Sequence, residues 1–123
     1  MKVITFGVQS AQEGRREFVA AFEAARLRKP FSLRKGVYFT SLEAVRNFLT
    51  PKRLALLHVI KERSPRSLYA LAKFSKRSFP SVFKDIEVLS KHGLVRLARD
   101  RQSRRRSVLP SVEYDAIHLW IGV

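Results

Sequence analysis

Two stretches of this chain hold residue types whose spacing suits contact with a polyanion. RDRQSRRRS, residues 99–107, places Arg99, Arg101, Arg104, Arg105 and Arg106 within nine positions. RSFPSVFK, residues 77–84, brings together Arg77, Ser78, Pro80, Ser81, Phe83 and Lys84. A serine hydroxyl can donate to a base edge or a phosphate, and an aromatic ring can meet a thymine methyl. Arg77 and Ser78, next to free backbone N–H groups at a helix start, suit phosphate.

Other chemistries find little to work with. The chain has no cysteine, which removes thiolate catalysis, disulfides and the common structural zinc sites. His58, His92 and His118 are scattered without metal-ligand spacing. No phosphate-binding glycine loop or nucleophile motif is present. Glu13, Glu17 and Glu23 fall in a helix whose charges read as solvated. No catalytic residue, metal site or cofactor is therefore expected, and the chain does not read as an enzyme. No apolar run approaches the ~20 residues of a membrane span. The opening MKVITFGVQS lacks the length and cleavage site of a secretory signal. The expectation is a cytoplasmic, nucleoid-associated protein with no membrane partner.

Charge directs the choice of partner. The 123 residues carry 25 Lys+Arg against 10 Asp+Glu, a net charge of +15. Such a field captures polyanions over long range, and nucleic acid leads. Residues 1–49 hold 9 basic and 4 acidic residues, and residues 50–123 hold 16 and 6. Two thirds of the excess charge thus lies in the later part. At 46% apolar content, a chain of this length can bury a core of its own as one domain.

The elements that must position these residues follow from periodicity and caps. VITFGV (3–8) and GVYFT (36–40) read as strands. Between them, Phe18, Val19, Phe22, Ala25 and Leu27 recur at helical spacing, predicting a helix over 11–28 that Pro30 stops. SLEAVRNFL reads as a short helix capped by Ser41. Thr50-Pro51 starts another, with Leu54, Leu57 and Ile60 on one face and Val59 nearby. Ser67 caps LYALAKFS, with Leu68, Leu71 and Ala72 inward. Ser78 caps a third helix over about 79–92, with Pro80 in its first turn. It carries Val82, Ile86 and Leu89 as a buried stripe and closes at His92-Gly93. LVRLA and RSVLP are short strands around the arginine run, and EYDAIHLWIGV alternates as a last strand.

Three helices with tight turns followed by a two-stranded hairpin describe a winged helix-turn-helix within an α+β chain. Taking Val82, Ile86 and Leu89 as inward, a step of about 100° per residue puts Pro80, Lys84, Glu87 and Lys91 outward. Ser81 and Phe83 lie on the flanks. Only the N-terminal part of such a helix reaches base edges, which favours Ser81, Phe83 and Lys84. Phe79 and Phe83 suit core packing or an interface better than base reading. Glu87 suits orienting a neighbouring cation, Asp85 a packing or salt-bridge role at the core edge, and His92 a cap compatible with the helix dipole. In RDRQSRRRS the residues DRQS form the natural hairpin tip, with Asp100 and Ser103 as turn formers. A floppy tail would not be flanked by Leu94, Val95, Leu97, Val108 and Leu109. The arginines then project around a wing that grips backbone or enters the minor groove. The domain plan is residues 1–49 as a strand and helix region, 50–110 as the DNA-binding core and 111–123 as a C-terminal strand. The outer regions would close a sheet or build a dimer interface. Phe6, Phe18, Phe22, Tyr114 and Trp120 are candidates for that surface, and core packing is their alternative.

SLYALAKFSKRSFPSVFKDIEVLSKHGLV resembles the helix-turn-helix of MarR-like regulators. The whole chain is similar to a family of small winged-helix DNA-binding regulators of archaea and bacteria. The resemblance runs through LTPKRLALL, the V-x-K-D-I-x-x-L helix (Val82, Lys84, Asp85, Ile86, Leu89), GLV and the closing PSVEYDAIHLWI. A longer, more Arg-rich wing and Pro80 in the recognition helix depart from its pattern. The resemblance implies double-stranded DNA as partner, transcription regulation, and a homodimer reading half-sites about 34 Å apart. Two other readings stay open. One is an antitoxin-like repressor that also binds a partner toxin protein, and the other is a non-specific RNA- or nucleoid-binding basic protein.

Overall fold

The protein is described here by a computed structural model covering residues 1–28, 37–102 and 107–123. Its elements run β1 (Val3–Val8), α1 (Ala11–Arg26), β2 (Val37–Phe39), α2 (Leu42–Phe48), α3 (Pro51–Arg63), α4 (Leu68–Ser75), α5 (Phe79–Lys91), β3 (Arg96–Arg99), β4 (Val108–Ser111) and β5 (Ala116–Ile121). They form two compact units. One comprises Met1–Lys2 with Phe48–Asp115, and the other Val3–Asn47 with Ala116–Val123.

In the first unit, three helices are each opened by a hydroxyl that accepts a hydrogen bond from the third residue of its helix. Thr50 accepts from the Arg53 N–H, Ser67 from Ala70 and Ser78 from Ser81, satisfying donors that a helix start leaves unpaired. Pro51 and Pro80 occupy first-turn positions where no intrahelical N–H is needed. The α4–α5 turn requires Lys76 in the left-handed region at φ 55°. Helix α5 ends as expected at His92, with Gly93 at φ 82°. There the Leu94 N–H donates back to the Leu89 carbonyl at 2.9 Å. The core is built from Leu68, Leu71 and Ala72 of α4, Val82, Ile86 and Leu89 of α5, and Leu94 and Val95. In α3 the buried residues are Leu56, Leu57 and Ile60, with Leu54 only half-buried. Leu56 replaces Leu54 because Arg53, Leu56, Leu57 and Ile60 share the i, i+3, i+4, i+7 face.

The arginine-flanking segments pair as an antiparallel hairpin, from Arg96 opposite Ser111 to Arg99 opposite Val108. The first strand starts two residues later than LVRLA suggests, because Leu94 and Val95 are spent on the core. The α3–α4–α5–β3–β4 succession is the order of a winged helix-turn-helix.

The second unit closes a three-stranded parallel sheet in the order β2-β1-β5. The C-terminal strand therefore pairs with the N-terminal one, from Val3 opposite Ala116 to Val8 opposite Ile121. Gly7 is required by close approach, since a Cβ there would meet the Tyr38 ring at 2.7 Å. Phe6 is fully buried and packs edge-on against Phe39 at 5.7 Å between centroids, so it belongs to the core and not to an interaction surface. Tyr114 and Trp120 are half-buried.

Helix α1 has a capping box joining Ser10 and Glu13. It ends at Arg26, two residues short of the expected 28, with Arg28 in the left-handed region at φ 55°. The expected stop at Pro30 lies outside the described residues. The apolar spacing that announced this helix does not mark its buried face: Phe18 is 67% and Phe22 60% exposed, and Val19 and Leu27 are exposed too. Its less exposed residues are Gly14, Glu17, Ala21 and Ala24. No described helix is long and apolar enough to cross a membrane.

Candidate nucleic-acid interface

Helix α5 is held by an ion triad at the edge of the core. Asp85 receives Arg53 Nε at 3.0 Å and Arg77 Nη2 at 2.7 Å. Arg53 also donates through Nη1 to the Phe48 carbonyl at 2.7 Å. The three side chains are little exposed, Asp85 at 15% and Arg77 at 18%. Burial pushes the Asp85 carboxyl up, but hydrogen bonds and charge from Arg77 and Arg53 outweigh it and hold the group below the usual aspartate value. The salt bridge expected of Asp85 is thus present, and it ties the start of α3 and the α4–α5 turn to the middle of α5.

This arrangement gives Arg77 a role beyond the phosphate contact expected of it. Its guanidinium faces the Asp85 carboxylate and donates from Nη2 to Ser81 Oγ at 2.7 Å. A partly desolvated carboxylate draws in the nearest cation, so Arg77 acts first on the position of α5 and Ser81. Arg53 was missed as its partner; the signal was its place one turn before Leu56 and Leu57 on the inward face.

Around the start of α5 the structure brings together Ser78, Pro80, Ser81, Phe83 and Lys84, all exposed. Ser78 Oγ is engaged as the cap. Glu87 and Lys91 continue the outer face, as the helical projection requires. Next to Phe83, which is 42% exposed, runs a row of rings. Tyr69 of α4 stacks on Phe79 at 4.1 Å and 12°, and Phe79 lies 5.8 Å from Phe83. Tyr69 was not singled out from sequence, although an aromatic outside the Leu68, Leu71, Ala72 stripe was a usable signal.

In the wing, Arg99 belongs to β3 and is not a tip residue, while Arg101 lies in the turn. Both are exposed. Arg104, Arg105 and Arg106 lie outside the described residues, as does Ser103. Asp100 does form the turn, accepting from the Gln102 N–H at 3.0 Å, while its own N–H donates to the Ser107 carbonyl at 2.7 Å. It does more than turn the chain. Its carboxylate is buried and meets Arg66 Nη2 at 3.2 Å, fastening the hairpin to the segment between α3 and α4.

Not every cation is available to a ligand. Arg96 and Lys2 both engage Glu113, at 3.0 and 3.4 Å. These contacts, the Arg96 hydrogen bond foremost, hold the Glu113 carboxyl below its usual range. Asp115 is lowered likewise, first by the Lys2 backbone N–H and then by Lys61. Among the described residues, no three His, Asp or Glu side chains gather as metal ligands would.

No curated protein matches the chain. Among solved structures, it is similar to the crystal structure of a zinc-responsive MarR family member, Lactococcus lactis ZitR. Identity is 18%, with 84% of this chain and 66% of that one covered, at a TM-score of 0.47. The chain thus spans slightly less than two thirds of that protein's length. The family model HVO_A0114 matches residues 48–119, more than half of the chain and all of the helix–hairpin unit from α3 to β4, and the chain belongs to the HVO_A0114 family.

Proposed function

We propose that the protein is a sequence-specific regulator of transcription that binds double-stranded DNA through α5 and the wing. One observation carries this reading. The N-terminal half of α5 presents Ser81, Phe83 and Lys84 to solvent on a helix whose pose is fixed by the Arg53–Asp85–Arg77 triad, beside a hairpin of exposed arginines. A pre-positioned helix with polar and apolar groups at its start is what major-groove readout needs. Arg99 and Arg101, with Arg104, Arg105 and Arg106, would grip the flanking backbone or the minor groove. Ser78 and the Phe79 N–H at the start of α5 would meet phosphate. The net charge of +15 supplies the attraction.

The active form in this reading is a homodimer, since one helix of this kind reads only a half-site. The uncovered Phe18, Val19 and Phe22 of α1 are the surface offered to the second copy.

Titration of duplex DNA, single-stranded DNA and structured RNA at several salt concentrations tests the proposal. A preferred duplex sequence is expected, and equal affinity for all three polymers would overturn it. Replacing Arg104, Arg105 and Arg106 with Ala should weaken binding to every duplex and reduce the salt slope. Lys84→Ala should change which sequences are preferred.

A further inference from the structure

We infer that Tyr69, Phe79 and Phe83 form one recognition rail that reads thymine methyl groups in the major groove, with the Tyr69 hydroxyl bound to an adjacent backbone phosphate. This rests on the duplex-DNA reading above. Isolated exposed aromatics are ordinary, but these three are contiguous and ordered. Tyr69 is the second residue of α4, Phe79 the first of α5, and Phe83 lies one turn further along. Tyr69, although 70% exposed, is held flat on Phe79 at 12°. Phe79 in turn backs Phe83 at 5.8 Å, as side chains four apart on a helix can.

The row ends beside Ser81 and Lys84, at the part of α5 that would enter a groove. Hydrocarbon there cannot read hydrogen-bonding edges. Its complement on a base-pair edge is the C5 methyl of thymine, which only the major groove displays. Rings already fixed by their neighbours lose little freedom on binding, so their contact area converts efficiently into affinity. Tyr69 begins the helix that precedes the recognition helix, and in helix-turn-helix docking that helix crosses the backbone. Its phenol is a neutral donor suited to a phosphate oxygen. The rail would therefore fix the distance between one phosphate contact and the methyls being read.

The test takes the duplex that the wild-type protein enriches from a randomised pool and prepares it with thymine or with deoxyuridine. The exchange removes only the major-groove methyls. The wild type is expected to bind the uracil duplex about 4-fold more weakly for each methyl buried. Phe83→Ala should bind the two duplexes alike. Tyr69→Phe keeps the ring and should keep the thymine preference, but should weaken both duplexes by several-fold. Its salt slope should be unchanged, since a neutral donor releases no counterion. Equal binding of both duplexes by the wild type, or an undiminished thymine preference in Phe83→Ala, would overturn methyl reading and leave duplex binding standing. Wild-type affinity in Tyr69→Phe would overturn the phosphate contact. Failure to enrich any duplex would overturn the DNA-binding proposal itself.

Discussion

Helix α5 buries Val82, Ile86 and Leu89 and gives solvent Ser81, Lys84 and Glu87. Helix α1 has comparable amphipathic spacing, yet its large apolar residues Phe18, Val19 and Phe22 are exposed, and Gly14, Glu17, Ala21 and Ala24 are the shielded side. Periodicity announces that a helix has an apolar face; it does not say what that face meets. In α5 the face meets a core supplied by α4 and the residues after it, all within the same unit. On α1 only Gly14, Glu17, Ala21 and Ala24 are partly shielded, and the phenylalanines are left for something else. The two faces therefore serve different ends, stability in α5 and a surface in α1.

The largest effect that would break this contrast comes from the core side. Ile86→Ala should lower unfolding free energy by about 2–5 kcal/mol, because it leaves a cavity in a packed interior. Urea unfolding followed by circular dichroism measures it. A loss under 1 kcal/mol would mean that α5 is not held by its apolar stripe.

Next comes the triad. Asp85→Ala leaves Arg53 and Arg77 facing each other without a counter-charge, and a loss of about 3 kcal/mol is expected. The pH dependence follows from the lowered carboxyl. A group whose folded value lies below its unfolded value of about 3.9 stabilises the protein above that pH and loses this as pH falls through the folded value. Wild-type stability should therefore fall below about pH 4 in part through Asp85, and Asp85→Asn should show a shallower acid limb in urea midpoints.

A smaller effect compares the caps. Ser78→Ala should cost about 1 kcal/mol of global stability. Ser10→Ala removes the same chemistry from α1 and should appear mainly as faster amide exchange along that helix, where few large side chains are buried. Equal global losses would make α1 as integral to the cooperative fold as α5.

The smallest stability change is expected where the sequence looked most hydrophobic. Phe18→Ser with Phe22→Ser should alter unfolding free energy by no more than about 0.5 kcal/mol, as exposed substitutions do. In the proposed homodimer, the pair should nevertheless shift sedimentation from dimer to monomer. An unaltered dimer would remove α1 from the interface, and a large destabilisation would show that the face is buried after all.

Much of this molecule was legible in the chain because its signals are local. Thr50, Ser67 and Ser78 announce three helix starts, and His92-Gly93 an end. Val82, Ile86 and Leu89 identify the inner side of α5 and hence the outward Lys84 and the flanking Ser81. Paired apolar segments around RDRQSRRRS announce a hairpin. Each depends on backbone preference or on a short period, which neighbouring residues control.

Tertiary structure alone decided the rest. It turned Arg77 from a surface cation into a partner of Asp85, because the carboxylate that attracts it and the Arg53 completing the triad come together only when three helices pack. It made Asp100 an anchor as well as a turn residue, through Arg66 thirty-four positions earlier. It placed Phe6 in the core and lined up Tyr69, Phe79 and Phe83 across two helices. Sequence determined where helices and strands begin, which faces are apolar and how strongly the chain attracts a polyanion. Which of those faces was covered, and which cations were neutralised, depended on contacts between distant residues, and no local spacing encodes them.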